Sequence, residues 1–124
     1  MSKMEGSNTF LHLLIGPLML VISLIFFYFP PKKINLIYGH RTSMSMKNQD
    51  TWKEANKRST YMMLIVSALT CILQLIGIVF NINLDTTILY ATVFLVAGLI
   101  IGVIVIEKQL KAIFDKDGNR KMQL

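Results

Sequence analysis

The sequence predicts an all-α integral membrane protein, with three transmembrane helices plus an amphipathic interfacial helix in a cytoplasmic loop. Three observations lead to this fold class. Hydrophobic residues make up 53% of the 124 residues and charged residues only 16%, which is too apolar for a soluble core of this size. The apolar residues are gathered into three long runs. A loop rich in Lys and Arg separates the first run from the second.

The three apolar runs cover about residues 10–29, 61–82 and 87–106, and none of them contains Asp, Glu, Lys or Arg. Each holds about 20 residues, which at ~1.5 Å rise per residue matches a hydrocarbon core of ~30 Å. The first run is long for a signal peptide, and two prolines follow it instead of a small-residue cleavage site. We therefore expect three transmembrane helices in a single domain over residues 1–124.

The positive charges predict the orientation of the three spans. The loop over residues 30–60 carries seven Lys and Arg residues, and the tail over residues 107–124 carries five. The segment before the first span carries only Lys3, and the turn at residues 83–86 carries none. By the positive-inside rule, the N-terminus lies outside the cell membrane, and the loop and the C-terminal tail are cytoplasmic. Cations facing anionic lipid explain the net charge of +6, so no direct nucleic-acid binding is expected.

The second run carries a stripe of small and polar residues at helical spacing, namely Ser67, Thr70, Cys71 and Gln74. An amide that faces lipid is costly, so Gln74 predicts that this stripe faces the other helices or a cavity. A hydrogen bond between helices is the simpler role for Gln74, and ligand binding is the alternative. The single cysteine, Cys71, is expected to be a packing residue.

The other two runs carry small residues of their own. In the third run, Gly98 and Gly102 form a G-x-x-x-G pattern, which favours simple helix packing over a dedicated dimer face. In the first run, His12, Gly16 and Ser23 share one side, with His12 expected at the outer membrane interface. Paired methionines are common fillers of apolar space, and neither a metal site nor a cofactor is predicted.

The loop between the first two spans is predicted to contain a turn and a short helix. Gly39 suits a turn, because glycine adopts backbone angles that other residues avoid. Asn48 suits the N-cap of a helix that starts at residue 49. On that helix Trp52 and Asn56 share one side and the lysines share the other. Trp and Lys side chains suit the level of the lipid headgroups, so we expect this helix to lie flat on the inner membrane surface.

Four short motifs, G-H-R-T, S-M-K-N, T-W and A-N, follow one another between Gly39 and Asn56. Together they resemble the signature of the SdpI-like family of bacterial membrane proteins, which reads G-Y-R-T, S-M-K-N, T-W and A-N. The chain departs from that signature at His40, where the family usually has Tyr, and at Ser43, where Pro often follows the Thr. The resemblance implies a partner-binding or motif site formed by Gly39, Arg41, Thr42, Ser45, Asn48, Trp52 and Asn56.

The family is named for an immunity protein against a secreted toxin, so the resemblance implies a non-catalytic function. The leading expectation is a membrane protein that protects the cell against a membrane-active toxin peptide, by binding it through the stripe around Gln74 or by shielding its target. The alternative is a membrane-anchored regulatory binder that sequesters a cytosolic repressor or another partner, using Arg41, Lys47 and Trp52. Membrane lipid is an expected partner in both cases, and a homo-oligomer is compatible with both.

Two other classes of protein fit the residues less well. A membrane hydrolase or transferase needs a nucleophile with a base, or paired carboxylates, and His40 with Ser43 or Ser45 is too local a pair. A small multidrug exporter needs a membrane-embedded carboxylate for proton coupling, and no Asp or Glu lies in the three runs. The sequence therefore predicts a protein that is not an enzyme.

Overall fold

The computed structural model describes residues 2–122, with side chains from Phe10 onward except that of Leu13. Within these residues the chain forms three helices, α1 (Ser2–Tyr28), α2 (Gln49–Val79) and α3 (Leu84–Ile113). α2 packs against both other helices, and α1 also contacts α3. Each helix contains a stretch that is long and apolar enough to cross a membrane, and the bundle is therefore that of a multi-pass membrane protein.

α2 begins well before the second apolar run. It has 31 residues, so at ~1.5 Å per residue it is about 46 Å long and exceeds a hydrocarbon core of ~30 Å. The predicted start of this helix is confirmed, because Asn48 Oδ1 accepts a hydrogen bond from Thr51 N at 2.9 Å and Thr51 Oγ1 accepts one from Asn48 N at 3.0 Å. The segment expected as a separate interfacial helix instead makes the first turns of α2.

A tight turn joins α2 to α3 as antiparallel neighbours. Asn81 has a φ of +55°, a left-handed conformation that Asn tolerates better than most residues. Ile82 N donates a hydrogen bond to Gly77 O at 2.9 Å, which closes the end of α2. The side chain of Asn83 then caps α3 by accepting a hydrogen bond from Asp85 N at 2.9 Å.

The G-x-x-x-G pattern of α3 packs against α2 within the same chain. A Cβ added at Gly98 would lie 2.8 Å from Val66 Cγ1, and one added at Gly102 would lie 2.5 Å from Met62 Sδ. Both distances are shorter than van der Waals contact, so each glycine lets the two helices approach closely. The predicted packing role of the two glycines is confirmed.

The C-terminal tail folds back onto the start of α2. Phe114 follows the last turn of α3 and is buried in an apolar cluster with Ala55, Ile106 and Leu110. Further along the tail, the Arg120 guanidinium donates two hydrogen bonds of 2.8 Å to the Asp50 carboxylate. These bonds raise the pKa of Arg120 above its ordinary value. We call this end of the bundle, residues 29–60 and 107–122, the charged end.

Candidate functional site

The first part of the motif loop is a turn held by α2. Gly39 has a φ of +115°, a conformation that glycine adopts far more readily than other residues. The next backbone N–H, that of His40, donates a hydrogen bond to Asn56 Oδ1 at 2.6 Å. Asn56 Nδ2 in turn donates to Trp52 O at 2.9 Å. Asn56 Oδ1 therefore attaches the turn to α2, while its Nδ2 is bonded within α2.

Trp52 lies inside the protein and not at the lipid headgroup level. Its side chain is fully buried, and its indole Nε1 donates a hydrogen bond to Pro31 O at 2.6 Å. Its ring also lies against the turn, since a Cβ added at Gly39 would be 3.1 Å from Trp52 Cζ2. The predicted surface position of Trp52 is wrong, because the loop that leaves α1 covers this face of α2.

Thr42 and Ser45 close the next turn by bonding each other. Thr42 N donates to Ser45 Oγ at 2.7 Å, and Ser45 N donates to Thr42 Oγ1 at 3.2 Å. The Ser45 hydroxyl donates to His40 O at 2.8 Å, and Thr51 Oγ1 donates to Ser45 O at 3.1 Å. The two hydroxyl groups of this turn are therefore engaged in holding the loop in shape.

Two further contacts attach the loop to the rest of the charged end. Asn48 Nδ2 donates a hydrogen bond to Gly118 O in the tail at 2.7 Å. His40 Nε2 lies 3.0 Å from Glu107 Oε1 in α3, with the His40 side chain almost fully buried. The motif loop is thus fixed to α2, to α3 and to the tail. Among the described residues, no group of three or more His, Cys, Asp or Glu side chains could hold a metal ion.

Arg41 differs from the other motif residues. Its side chain is exposed, and it makes no hydrogen bond or ion pair with any residue that the structure describes. Gly39, Asn56 and the remaining members of the motif set all contribute to the shape of the loop. The Arg41 guanidinium is therefore available to an anionic group that comes from outside the chain.

Beneath Arg41 the three helices leave a groove of about 420 Å³, which we call the methionine groove. The lining side chains are mainly apolar and come from all three helices, among them Met19, Phe26, Met62, Met63, Leu99 and Val103. Methionine side chains adapt to irregular apolar partners. The groove therefore combines an adaptable apolar wall with a single unpaired cation at its rim, and this arrangement suits an apolar molecule that carries one acidic group.

The polar stripe of α2 faces α1. Gln74 Nε2 donates a hydrogen bond to His12 O at 2.8 Å, and Gln74 Oε1 accepts one from Gly16 N at 2.9 Å. The side-chain amide therefore pairs with two backbone groups of α1. A Cβ added at Gly16 would lie 2.3 Å from Gln74 Oε1, so this contact requires glycine. The predicted interhelical hydrogen bonding of Gln74 is confirmed.

Ser67 and Thr70, the other polar members of the stripe, are fully buried. Ser67 Oγ donates a hydrogen bond to Met63 O at 2.6 Å and lies 3.5 Å from Ser23 Oγ in α1. Thr70 Oγ1 donates to Val66 O at 2.7 Å within α2. Both hydroxyls are thus occupied inside the bundle.

His12, which the sequence places at the level of the outer membrane interface, belongs to the same buried cluster. Its side chain is 6% exposed, and its Nδ1 lies 2.9 Å from Gln74 Nε2. The amide nitrogen is a donor, so Nδ1 accepts and the proton of the neutral ring is assigned to Nε2. Within the described residues, Nε2 has no hydrogen-bond partner. The sequence feature that indicated this cluster is the face of α1 that His12, Gly16 and Ser23 share.

These features first define a class, a helical membrane bundle whose first loop is folded onto the helix ends by short polar motifs. The chain belongs to the SdpI/YfhL protein family, whose model matches residues 32–107 and so covers the motif loop, α2 and most of α3. It is also similar to the uncharacterized protein YfhL of Bacillus subtilis (strain 168), with 35% identity over 103 residues, or 83% of this chain and 88% of that relative. No solved structure matches the chain significantly. The family predicted from the loop motifs is confirmed.

Proposed function

We propose that the protein is a membrane immunity protein, which protects the cell against a secreted, membrane-active toxin peptide by binding it without chemical change. Membership of the SdpI/YfhL family supports an immunity-type role. We place the binding site at Arg41, because its side chain is exposed, has no partner among the described residues and lines the methionine groove. In this proposal an acidic group of the peptide pairs with Arg41, and its apolar side chains enter the groove.

The chemistry of Arg41 suits this role. A guanidinium offers two parallel N–H donors to a carboxylate, whereas the ammonium of Lys is a point charge without this geometry. The backbone on both sides of Arg41 is fixed, by the bond of His40 N to Asn56 before it and by the bond of Thr42 N to Ser45 Oγ after it. Because the loop is already ordered, little conformational entropy is lost when a peptide binds.

We further propose that the charged end is cytoplasmic and the N-terminus outside, on the distribution of Lys and Arg along the chain. The first turns of α2 then stand at the level of the inner headgroups, where the separate interfacial helix was expected. A peptide that inserts into the bilayer would reach the methionine groove between the helices from the lipid side.

The experiment is a survival assay in a sensitive bacterium that expresses the protein. The cells are challenged with purified bacterial toxin peptides that kill the unprotected strain. Arg41→Lys keeps the charge but loses the paired donors, so we expect protection to fall roughly tenfold, the factor that ~1.4 kcal/mol represents. The matched control is Lys33→Ala, which removes an exposed cation of the same loop outside the methionine groove and should leave protection intact.

Two measurements accompany this assay. Blotting of the membranes verifies that the wild type and both variants are present in equal amounts. Mass spectrometry of the recovered peptide should show it unchanged, because the proposal involves binding alone. Full protection by Arg41→Lys would contradict the proposed site, and a cleaved or modified peptide would indicate an enzyme.

One observation favours the second candidate function, capture of a cytosolic repressor or another partner at the membrane. Arg41 and Lys47 are both exposed on the same loop, where a partner could contact them together. Trp52, the third residue expected at such a contact, is fully buried and cannot take part. In cells that meet no toxin, the capture function predicts that Arg41→Gln changes the abundance of specific transcripts, whereas the immunity function predicts no change.

A further inference from the structure

A second groove, of about 510 Å³, lies between the end of α1 and the first turns of α2. Phe26 lines both grooves, whereas Arg41 does not line this one. The side chains that matter here are Phe27 from α1, Lys32 from the loop, and Lys53, Lys57 and Tyr61 from α2. We call it the lysine groove. Its volume lies within the range of small-molecule sites in proteins, about 300–1,000 Å³.

The rim of the lysine groove is strongly cationic. Its three lysines are exposed, and none forms an ion pair with a residue that the structure describes. The acidic residues in the same turns of α2 are engaged elsewhere, Asp50 with Arg120 and Glu54 with Arg58. No Asp or Glu from the described part of the chain lines the groove. The three positive charges therefore share a groove that no carboxylate lines, and the nearby Asp50, whose pKa is lowered mainly by its hydrogen bond with Arg120 and in part by Lys53, is already paired with Arg120.

The wall of the lysine groove is aromatic. The rings of Phe27 and Tyr61 meet edge to face, with 6.3 Å between their centroids, and both side chains are about half exposed. Tyr61 is the first residue of the second apolar run, so this wall lies where the charged end meets the apolar part of the bundle. Aromatic side chains of this kind are typical of the boundary between headgroups and acyl chains.

The lysine groove is held in shape without a ligand. Gln49 Nε2 donates a hydrogen bond to the backbone oxygen of Lys32, and Trp52 Nε1 donates one to that of Pro31. The two bonds attach the chain that leaves α1 to the first turn of α2, so that Lys32 from the loop and Lys53 from α2 line the same groove. A site formed in advance loses less conformational entropy when it binds.

We propose that the lysine groove binds an anionic phospholipid. The phosphate lies among the ammonium groups of Lys32, Lys53 and Lys57, and an acyl chain runs along Phe27 and Tyr61. Charge complementarity favours an anionic lipid over a zwitterionic one. The cationic choline or ethanolamine group of a zwitterionic lipid would need an acidic partner, and no carboxylate lines the groove. The aromatic wall is continuous with the exposed apolar surface of α1 and α2, which favours a lipid over a free phosphate. This site is independent of the toxin proposal and of the orientation in the membrane.

The test measures lipid affinity of the purified full-length protein in detergent by native mass spectrometry. The probes are phosphatidylglycerol and phosphatidylcholine with identical acyl chains. The double variant Lys53→Gln, Lys57→Gln should bind phosphatidylglycerol roughly thirtyfold more weakly, the factor that ~1 kcal/mol for each of two lysines represents. The matched control is Lys108→Gln, Lys111→Gln, which removes two exposed cations of α3 at the same end of the bundle and should bind like the wild type.

Several outcomes would overturn this proposal. The first is equal affinity of the wild type for the two lipids, and the second is equal phosphatidylglycerol binding by the groove variant and the control variant. Circular dichroism establishes that each variant is folded. Should the double variant not fold, Lys32→Gln tests the site from the loop side, and an unchanged affinity for phosphatidylglycerol in that variant also overturns the proposal. The proposal would also be overturned if inorganic phosphate displaced bound phosphatidylglycerol at the same concentration as free phosphatidylglycerol does. Such a result would show that the aromatic wall does not contribute to binding.

Discussion

The backbone of Gly39 lies in contact with three side chains at once. A Cβ added there would lie 2.6 Å from Asn56 Oδ1, 2.9 Å from Pro31 Cγ and 3.1 Å from Trp52 Cζ2. Its φ of +115° is unfavourable for any residue with a side chain. Because Arg41 follows two residues later, the position of its guanidinium depends on this turn.

Gly39→Ala should loosen the motif loop. The added methyl group is strained by the backbone and collides with its neighbours, so we expect a loss of about 1–3 kcal/mol in the free energy of unfolding. Trp52 is the only tryptophan of the chain, so its fluorescence reports on this turn directly. We expect its emission to shift to longer wavelength as water reaches the indole. Ser43→Ala, an exposed change in the same loop, is the control, and identical spectra for the two variants would contradict the role given to Gly39.

At this scale the sequence predicts local features well and distant contacts poorly. The cap at Asn48 was predictable, because its partner Thr51 is three residues away and cap residues have distinct side-chain chemistry. The burial of Trp52 was not predictable, because its hydrogen-bond partner, Pro31, lies 21 residues earlier in a loop without regular structure. The contact of His40 with Glu107 spans 67 residues, and no local pattern indicates it.

The Gln74 amide makes most of the polar contact between α1 and α2, beside the Ser23–Ser67 pair. Gln74 bonds the carbonyl of His12 and the N–H of Gly16, and its Nε2 also lies 2.9 Å from His12 Nδ1. The two backbone partners are present whatever the side chains of α1, so on α1 the contact is sensitive to substitution of the His12 ring and, most of all, of Gly16. There, any larger residue would push the two helices apart.

Gln74→Leu should weaken the packing of α1 on α2. Leucine has a similar volume but no hydrogen-bonding groups, so we expect a loss between about 0.6 kcal/mol, the average measured for polar contacts between membrane helices, and about 1.7 kcal/mol, the largest value measured. The measurement is unfolding of the purified protein in mixed detergent micelles. Thr70→Val is the control, because the Thr70 hydroxyl bonds only within α2. Equal stability losses in the two variants would contradict a specific interhelical role for Gln74.

The predicted spans and the observed helices agree in number and position but not in length. The apolar runs at residues 61–82 and 87–106 cover the uncharged parts of α2 and α3, and the first of them extends three residues past the end of α2 at Val79. α2 starts earlier, because Asn48 caps it and its first turns are packed between the loop and the tail. Hydropathy measures apolar composition, and it carries no information about charged turns that tertiary packing keeps helical.

Across the whole molecule, the charged side chains are concentrated at one end. The charged end holds the motif loop and the folded tail and supplies part of the lining of both grooves, whereas the opposite end has the short turn at residues 80–83 and the start of α1. The sequence predicts this asymmetry from its charges, since twelve of the thirteen Lys and Arg residues lie in residues 30–60 and 107–124. It did not predict the grooves, because each of them is formed by residues from separate segments of the chain.

This asymmetry predicts the orientation, which cysteine labelling in intact cells can test. In a Cys71→Ala background, Lys47→Cys marks the charged end and Ile82→Cys marks the turn end, and both positions are exposed on the protein. Membranes retain Lys- and Arg-rich segments on the cytoplasmic side, so a membrane-impermeant thiol reagent should label Cys at position 82 in whole cells and Cys at position 47 only after permeabilisation. Ile82 is preferred to Asn83, whose side chain caps α3. The reverse labelling pattern would move the motif loop, Arg41 and both grooves to the outer face, where a secreted peptide would reach them directly.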